Sequence, residues 1–305
     1  MLHTETTSQS LDCSKFKRDL DVTRSFSFVV QMNPLIKANK TYAIMNSNSQ
    51  IEELNIFHEV QLPIDVFCLV SLHTLQVNGT PFVHKNEFGN YVKSTGVSPL
   101  ISRLNKLTIL SLVNTTASYI PEHALAVLTN LTKLLVEGCD LYQIPSSLSL
   151  LTKLEELNLA HNHLDSMPDV TSNSFDSKDE HNNLYNKYPL FFLALQQLSE
   201  LVSINLSHNK IRDIIDLAEI PSRNVRTMDF SYNQIDYIPP EISQFYYQLT
   251  RLYLNDNQLA YIPTDIFKLV YLTQANFERN LLPADEITAI KARFRSVVPL
   301  CTLKI

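Results

Sequence analysis

The pattern L-x-x-L-x-L-x-x-N-x-L recurs along the chain and constrains its fold more than any other feature. Five copies match it closely, with aliphatic, Met, Ala or Phe substitutions: LEELNLAHNHL from Leu154, LVSINLSHNKI from Leu201, VRTMDFSYNQI from Val225, LTRLYLNDNQL from Leu249 and LTQANFERNLL from Leu272. Weaker copies begin at Leu107 and Leu131, and fainter ones at Ile51 and Leu72. Self-similarity at a fixed period predicts a repeat fold in which each unit stacks on the next. The residues of each copy are numbered from position one, its first Leu, Val or Ile.

The copies are evenly spaced except at two places. Successive copies start 23 or 24 residues apart within the runs 107–154 and 201–272. Between these runs, the polar stretch 169–188 predicts an inserted surface loop, and such insertions often take part in binding. The apolar spacing in 189–201 then predicts an amphipathic helix. Residues 82–97, in the second long gap, receive no structural assignment from the sequence.

The apolar residues at positions four and six alternate with polar or small residues. In the copy from Leu154, Leu157 and Leu159 alternate with Asn158 and Ala160. A period of two predicts a strand with one buried face. A single unit cannot bury that face alone, so neighbouring units are expected to stack into one parallel sheet over a continuous core. Positions three, five, seven and eight then lie on the exposed face of the sheet.

Most copies continue with an aliphatic residue and Pro, as in Ile144-Pro145 and Ile262-Pro263. Together these residues resemble the leucine-rich repeat family, in its L-x-x-L-x-L-x-x-N-x-L-x-x-L-P form, over residues 51–305. The resemblance implies an α/β fold, a right-handed horseshoe-shaped solenoid with a parallel sheet on its concave face and short helices or turns on its convex face.

The resemblance also implies a role for the Asn at position nine, which turns the chain away from the strand inside the solenoid. The side-chain amides are expected to form a ladder of hydrogen bonds to the backbone of adjacent turns, because a buried polar side chain must be hydrogen-bonded. The ladder residues are Asn162, Asn209, Asn233, Asn257 and Asn280. Thr115 and Cys139 occupy the same position in the weaker copies, which gives Cys139 a structural role.

The repeats divide the chain into three regions. Residues 1–50 do not fit the pattern and are expected to form an N-terminal cap with a disordered start and a strand over Ser25 to Val30. Residues 51–282 form a solenoid of about nine repeats, the first two degenerate. Residues 283–305 are expected to form a C-terminal cap.

The C-terminal cap has its own pattern. Pro283 followed by Asp285 and Glu286 predicts the start of a helix, and a short P-x-C-x-L segment ends the chain. This arrangement resembles the terminal cap of bacterial leucine-rich repeat proteins, including effectors that act on host proteins. The resemblance favours a bacterial origin.

Composition and charge argue against several functions. The 305 residues carry a net charge of −6 without a cluster of Lys or Arg, so nucleic-acid binding is not expected. No apolar run approaches membrane-spanning length, and the first residues lack the basic and apolar segments of a Sec signal. We therefore expect a monomeric protein located in the cytoplasm, or exported to a host cell by a non-Sec route.

The four cysteines, Cys13, Cys68, Cys139 and Cys301, lie far apart and match neither a metal-binding spacing nor a dense disulfide framework. The sequence thus predicts four reduced thiols.

The expected function is non-enzymatic binding of a protein partner through the concave face. Tyr and Arg are common interface hot spots, and they cluster in the last three repeats. The candidate partner-binding residues are Asn158, His161, Asn205, His208, Asp229, Tyr232, Arg251, Tyr253, Asp256, Asn276 and Arg279. No catalytic residue, metal site or cofactor is predicted, because catalytic and nucleotide-binding motifs are missing from the sequence.

Two alternatives stay open. His161 and His208 share position eight in consecutive recognised copies and become neighbours if 169–188 loops out, so a metal-dependent enzyme could use this row. The other alternative is a structural scaffold that self-assembles through its N-terminal end.

Overall fold

The computed structural model describes residues 11–35, 37, 39–85, 91–165, 194–214 and 224–305. Its main element is a sheet of 12 strands. In order across the sheet, these strands are β1 Gln31–Met32, β2 Tyr42–Met45, β3 Ile51–Phe57, β4 Thr74–Asn78, β7 Ile109–Val113, β8 Lys133–Glu137, β9 Glu156–Asn158, β10 Ser203–Asn205, β11 Thr227–Asp229, β12 Arg251–Tyr253, β13 Gln274–Asn276 and β14 Thr302–Lys304. Within this sheet every pairing from β3 to β14 is parallel, which confirms the predicted solenoid.

The register of the sheet aligns equivalent positions of successive copies. Leu157 of β9 pairs with Ile204 of β10, which pairs in turn with Met228 of β11. All three side chains are fully buried. Each copy therefore covers the apolar face of the one before it, and the buried side chains form one continuous cluster along the solenoid.

Strand length changes halfway along the sheet. β4, β7 and β8 span positions three to seven, whereas β9 to β13 end at position five. In β9 the Oδ1 atom of Asn158 accepts the backbone N–H of Ala160 at 3.0 Å, so position seven is held in a local turn. Asn205 makes the same bond to Ser207. Gln76, Ser111 and Leu135, which occupy position five in the longer strands, make no such bond.

Short helical turns form the convex side, and proline precedes most of them. Residues Ile64–Cys68, Ser146–Leu150 and Thr264–Lys268 are 3₁₀ turns that follow a proline in extended conformation. Pro99–Arg103 is a fourth 3₁₀ turn, in which proline is the first residue. Two short α-helices, α2 Glu122–Leu125 and α3 Ile242–Phe245, lie at equivalent places. Proline is compatible with these sites because it fixes φ and its missing N–H is unneeded at a helix start.

The N-terminal region is built from α1 Asp19–Arg24, β1 and β2. β2 and β3 form an antiparallel hairpin, and β1 pairs parallel to β2 at the edge of the sheet. The predicted strand over Ser25 to Val30 is wrong: residues 25–28 form a turn and bends, and residues 29–30 have no regular structure. Phe26 and Phe28 pack against the core, with their ring centroids 5.4 Å apart. Of the predicted disordered start, residues 1–10 lie outside the described residues, while Leu11 packs against the core.

Cys13 and Cys68 form a disulfide, so the prediction of four reduced thiols is wrong. The bond joins the segment before α1 to the 3₁₀ turn Ile64–Cys68 of the first repeat. Lys15 reinforces the junction with an ion pair to Asp65 at 3.0 Å. Residues 55 positions apart become neighbours only through folding, which is why spacing alone did not reveal the pair. Cys139 and Cys301 are free.

The structure describes most of one of the two long gaps between copies, and only the end of the other. In 82–97, Val83–Lys85 and Tyr91–Lys93 form an antiparallel two-stranded sheet, β5 and β6. The predicted loop 169–188 lies outside the described residues. Of the predicted helix 189–201, Ala194 and Leu195 are helical and buried.

The C-terminal region consists of helix α4 Ala284–Val297 and strand β14. Pro283 precedes α4, and Asp285 and Glu286 lie in its first turn. Ile290 and Phe294 are the buried residues of α4, and Phe294 packs edge-on against Phe267 of the last convex turn. Within the described ranges, no helix is long and apolar enough to cross a membrane.

Candidate protein-binding face

The asparagines at position nine link each copy to the preceding one. The Nδ2 atom of Asn233 donates to the carbonyls of Leu206, Phe230 and Ser231, and its Oδ1 accepts the N–H of Ile211. Asn162, Asn209, Asn257 and Asn280 repeat the arrangement. The amides satisfy backbone groups that the turn leaves without partners in the interior. They therefore fix the exposed strand positions in place.

Thr115 and Cys139 occupy the same position in earlier copies. The Cys139 thiol is fully buried, lies 3.4 Å from the Thr115 hydroxyl and contacts the Leu112 carbonyl at 3.3 Å. Burial raises the pKa of this thiol, so it stays protonated at neutral pH. Its role is structural.

The residues at position eight, here called row eight, lie just beyond the strand ends. They are His58, Gly79, Asn114, Gly138, His161, His208, Tyr232, Asp256 and Arg279. All nine have left-handed backbone, with φ between 50° and 61°. Gly, Asn, Asp and His accept this conformation readily, whereas Tyr and Arg do so rarely.

A ladder of backbone hydrogen bonds holds row eight in this conformation. Each N–H from His58 to Asp256 donates to the position-seven carbonyl of the following copy, at 2.8–3.1 Å. The side chains of row eight also fit one another. An added Cβ atom on Gly79 would lie 2.4 Å from the His58 ring, and one on Gly138 would lie 2.5 Å from Oδ1 of Asn114. The row is thus continuous from one end of the repeats to the other.

Three aromatic rings of row eight form a stack. The rings of His161 and His208 lie 3.9 Å apart at an angle of 14°, and those of His208 and Tyr232 lie 4.0 Å apart at 10°. Burial within the stack, followed by the proximity of His161, lowers the pKa of His208. The nearby carboxylates of Asp229 and Asp256 oppose this shift.

The stack continues into a charged network. Nη2 of Arg279 donates to Oδ2 of Asp256 at 2.6 Å and to the Tyr232 hydroxyl at 3.2 Å. The guanidinium also lies 5.9 Å from the centroid of the Tyr232 ring. The ion pair lowers the pKa of Asp256 and raises that of Arg279. Five of the eleven predicted partner-binding residues, from His161 to Arg279, are therefore one connected array.

The remaining predicted residues lie on the strands themselves. Asn158, Asn205, Asp229 and Asn276 each use Oδ1 to accept the N–H at position seven, so part of their hydrogen-bonding capacity is internal. Tyr253 donates its hydroxyl to Gln274. Arg251 is exposed on β12.

A metal site at row eight finds little support in this geometry. Parallel stacking of His161 on His208 presents ring faces to each other, and the nitrogen lone pairs lie in the ring planes. Among the described residues, no group of three or more His, Cys, Asp or Glu side chains is placed to hold a metal ion.

The sequence reasoning missed a group of apolar residues on the exposed face of the longer strands. Ile109 and Val113 of β7 and Leu135 of β8 occupy outward positions, and all are half-buried. Ser111 lies between the first two in β7 and directly opposite Leu135. We call this group the apolar pit. The alternation within the weaker copies from Leu107 and Leu131 contains the signal, because positions three, five and seven there are not uniformly polar.

Comparison with known proteins agrees with this geometry. The Leucine Rich Repeat family model matches residues 153–176. Human fibromodulin is 29% identical over 182 residues, covering 59% of this chain and 46% of fibromodulin. Pig (Sus scrofa) fibromodulin is 31% identical over 123 residues, covering 40% of this chain and 82% of that sequence. The chain thus spans less than half the length of the human relative.

Solved structures show the same fold. A leucine-rich repeat protein of Leptospira interrogans superposes with a TM-score of 0.64 at 24% identity, over 83% of this chain and 54% of that one. An internalin of Listeria monocytogenes superposes with a TM-score of 0.58 at 17% identity, over 86% of this chain and 64% of the internalin chain. The chain therefore belongs to the leucine-rich repeat family, as its repeated motif predicts.

Proposed function

We propose that this chain is a non-enzymatic module that binds a partner protein through its concave face. The observation that carries the proposal is the array of His161, His208, Tyr232, Asp256 and Arg279, which lies along the edge of that face. Stacking, ion pairing and the backbone ladder fix these side chains before any partner arrives. A surface that is already ordered loses little conformational entropy on binding, which favours affinity.

The composition of the array supports protein recognition. Tyr and Arg are enriched among residues that dominate binding energy, and Tyr232 is 42% exposed. The internal bonds of Asn158, Asn205, Asp229 and Asn276 make those residues supports for the surface. Row eight, Arg251 and Tyr253 are then the main contacts.

A matched pair of double variants tests the proposal. The first is Tyr232→Ala with Tyr253→Ala on the concave face. The second is Tyr247→Ala with Tyr271→Ala, which removes two exposed tyrosines outside the strands. In affinity capture from the native source, the wild type and the second variant should recover the same partner, and the first should lose it. Equal recovery by both variants would rule out binding through these concave residues.

The narrower form of the proposal is a bacterial effector that acts on a host protein. The C-terminal region of α4 and β14, whose sequence pattern suggested it, is the feature that supports this form.

For the compartment, we propose an oxidising environment in place of the predicted cytoplasm. The Cys13–Cys68 disulfide supports it, because disulfides persist outside the cytosol and are rare within it. Alkylation of the native protein after denaturation without reductant should label two of the four cysteines, Cys139 and Cys301. Labelling of all four would place the functional protein in a reducing compartment.

A further inference from the structure

The apolar pit is an exception on the exposed face of the sheet. Outward positions of a sheet open to solvent are usually polar. On β7 and β8, Ile109, Val113 and Leu135 instead face outward. The hydrophobic core does not require them there, because Leu110, Leu112 and Leu134 already fill the inward positions of the same strands.

The register gives the pit its shape. Ser111 pairs with Leu135 of β8 on one side and with Gln76 of β4 on the other. Ile109 and Val113 flank Ser111 along β7, each about 7 Å away. A small side chain is thus surrounded on three sides by larger apolar ones. This arrangement leaves room for one apolar side chain from outside, in the manner of an interface anchor.

The rim of the pit is acidic. Glu137 continues β8 beyond Leu135 and accepts a hydrogen bond from Asn158 at 3.1 Å. On β9, Glu156 pairs with Lys133 at 2.7 Å, while the adjacent Glu155 is exposed. These four charged groups sum to a negative rim on the β8–β9 side of the pit.

The same bias extends from β3 to β9. At outward positions three, five and seven of these strands, and at position two beside the start of each, the described residues include five glutamates and one lysine. They are Glu52, Glu53, Glu137, Glu155, Glu156 and Lys133. From β10 to β13 the same positions hold two acidic and two basic residues: Asp229, Glu278, Arg226 and Arg251. The first half of the concave face is therefore negative and the second half is balanced.

We propose that the apolar pit is an anchor site for a partner segment in which one aliphatic side chain is flanked by arginine or lysine. The aliphatic group enters the space over Ser111. Basic groups on its two sides contact Glu137 and Glu155, which lie toward opposite ends of the β8–β9 pair. This inference rests on the proposed function, since it names the chemistry of a partner that the concave face would bind. It adds a second contact region beside the array, whose first residue, His161, follows the strand next to β8.

The test uses synthetic peptides and the full chain with ¹³C-labelled Ile, Leu and Val methyl groups. The probe is Gly-Arg-Arg-Leu-Arg-Arg-Gly, and the matched probes replace Leu by Ser or each Arg by Glu. The first peptide should shift the methyl signals of Ile109, Val113 and Leu135. The Ser and Glu peptides should bind about tenfold more weakly or not at all, because each lacks the apolar or the charged half of the contact.

Two variants check that the pit itself is responsible. Ser111→Phe fills the pit and should abolish the shifts, whereas Ser203→Phe, an equal change at an outward position of β10, should leave them intact. Leu135→Ser gives the same loss of binding without added bulk, in case Ser111→Phe unfolds the chain. Amide spectra of each variant establish folding.

Several outcomes would overturn the inference. They are the absence of methyl shifts with the Leu peptide, equal shifts with the Glu peptide, and shifts that survive Ser111→Phe. Methyl shifts that depend on protein concentration alone would assign the pit to contact between two copies of the chain. A partner that is captured through Tyr232 and Tyr253 while the peptides leave the methyl signals unchanged would refute only the anchor site. Peptide binding without any captured partner would refute only the proposed function.

Discussion

The imidazole rings of His161 and His208 lie parallel with their centroids 3.9 Å apart, across the pairing of β9 and β10. Each sits at the same position of its copy with left-handed backbone. At this distance His161, together with burial of the ring, lowers the pKa of His208.

The stack predicts a pH dependence centred on His208. Burial and His161 lower its pKa, so the folded chain binds fewer protons than the unfolded chain below the ordinary histidine pKa of about 6.5. Stability should therefore fall as pH drops through this window and be unaffected by His208 above it. By NMR titration, the His208 midpoint should lie below about 6.5 and rise in His161→Ala. The convex-side variant His123→Ala should leave it unchanged; a midpoint insensitive to His161 would contradict the coupling.

Loss of one ladder amide should destabilise the chain strongly. Asn233→Ala removes three donated bonds and one accepted bond inside the solenoid. Leaving several buried backbone groups unpaired should cost about 2–4 kcal/mol. Urea denaturation measures the change, with the exposed Asn130→Ala as a control expected to stay within about 0.5 kcal/mol. Equal changes in the free energy of unfolding for Asn233→Ala and Asn130→Ala would mean that water takes over the hydrogen bonds of the Asn233 amide.

The close fit of Gly138 against Asn114 predicts a specific coupling. Gly138→Ala introduces a Cβ atom 2.5 Å from Oδ1 of Asn114 and places Ala at a φ of 61°, so stability should fall by about 1–3 kcal/mol. Adding Asn114→Ala removes the contact and should recover part of the loss, while the backbone strain remains. A double-mutant cycle on thermal or urea denaturation measures the coupling. Additive effects would show that the side chains do not touch.

Reduction of the Cys13–Cys68 bond should loosen the N-terminal region without unfolding the repeats. Closing a loop of 55 residues stabilises a folded chain by about 2–4 kcal/mol. Cys13→Ser with Cys68→Ser should therefore speed proteolysis near α1, while the amide signals of β9 to β13 stay in place. The double variant Cys139→Ser with Cys301→Ser serves as a comparison that keeps the bond. Identical cleavage of wild type and the Cys13/Cys68 variant would refute this role.

Much of the fold was predictable, because each copy of the motif determines its own strand and turn from residues close together in sequence. Positions four and six specify the buried face, and position nine specifies the Asn at each turn. Strands β3, β4 and β7 to β13 could therefore be placed from the sequence, whereas β5 and β6 could not. The sequence also predicted that His161 and His208 are neighbours, since both occupy position eight of consecutive recognised copies. The left-handed backbone of Tyr232 and Arg279 did not follow, because neither residue type favours it.

Other features depend on contacts that no local pattern encodes. The N-terminal region lacks a repeat, so its alternating Phe26 and Phe28 suggested a strand although tertiary packing bends the segment. The disulfide joins Cys13 to Cys68 across that region. On the concave face, Ile109 and Leu135 lie in different copies, so the sequence alone does not show that they are neighbours. The register of β7 and β8 brings them together on the surface.

Footprinting of the complex shows whether the partner covers the concave face. Histidine-directed diethylpyrocarbonate and tyrosine-directed labelling, read by mass spectrometry with and without the captured partner, compare two surfaces of one folded chain. We expect His161 and Tyr232 to become protected, while His123 on the convex side and Tyr271 outside the strands react as before. Protection of His123 and Tyr271 with unchanged labelling of His161 and Tyr232 would contradict binding through the concave face.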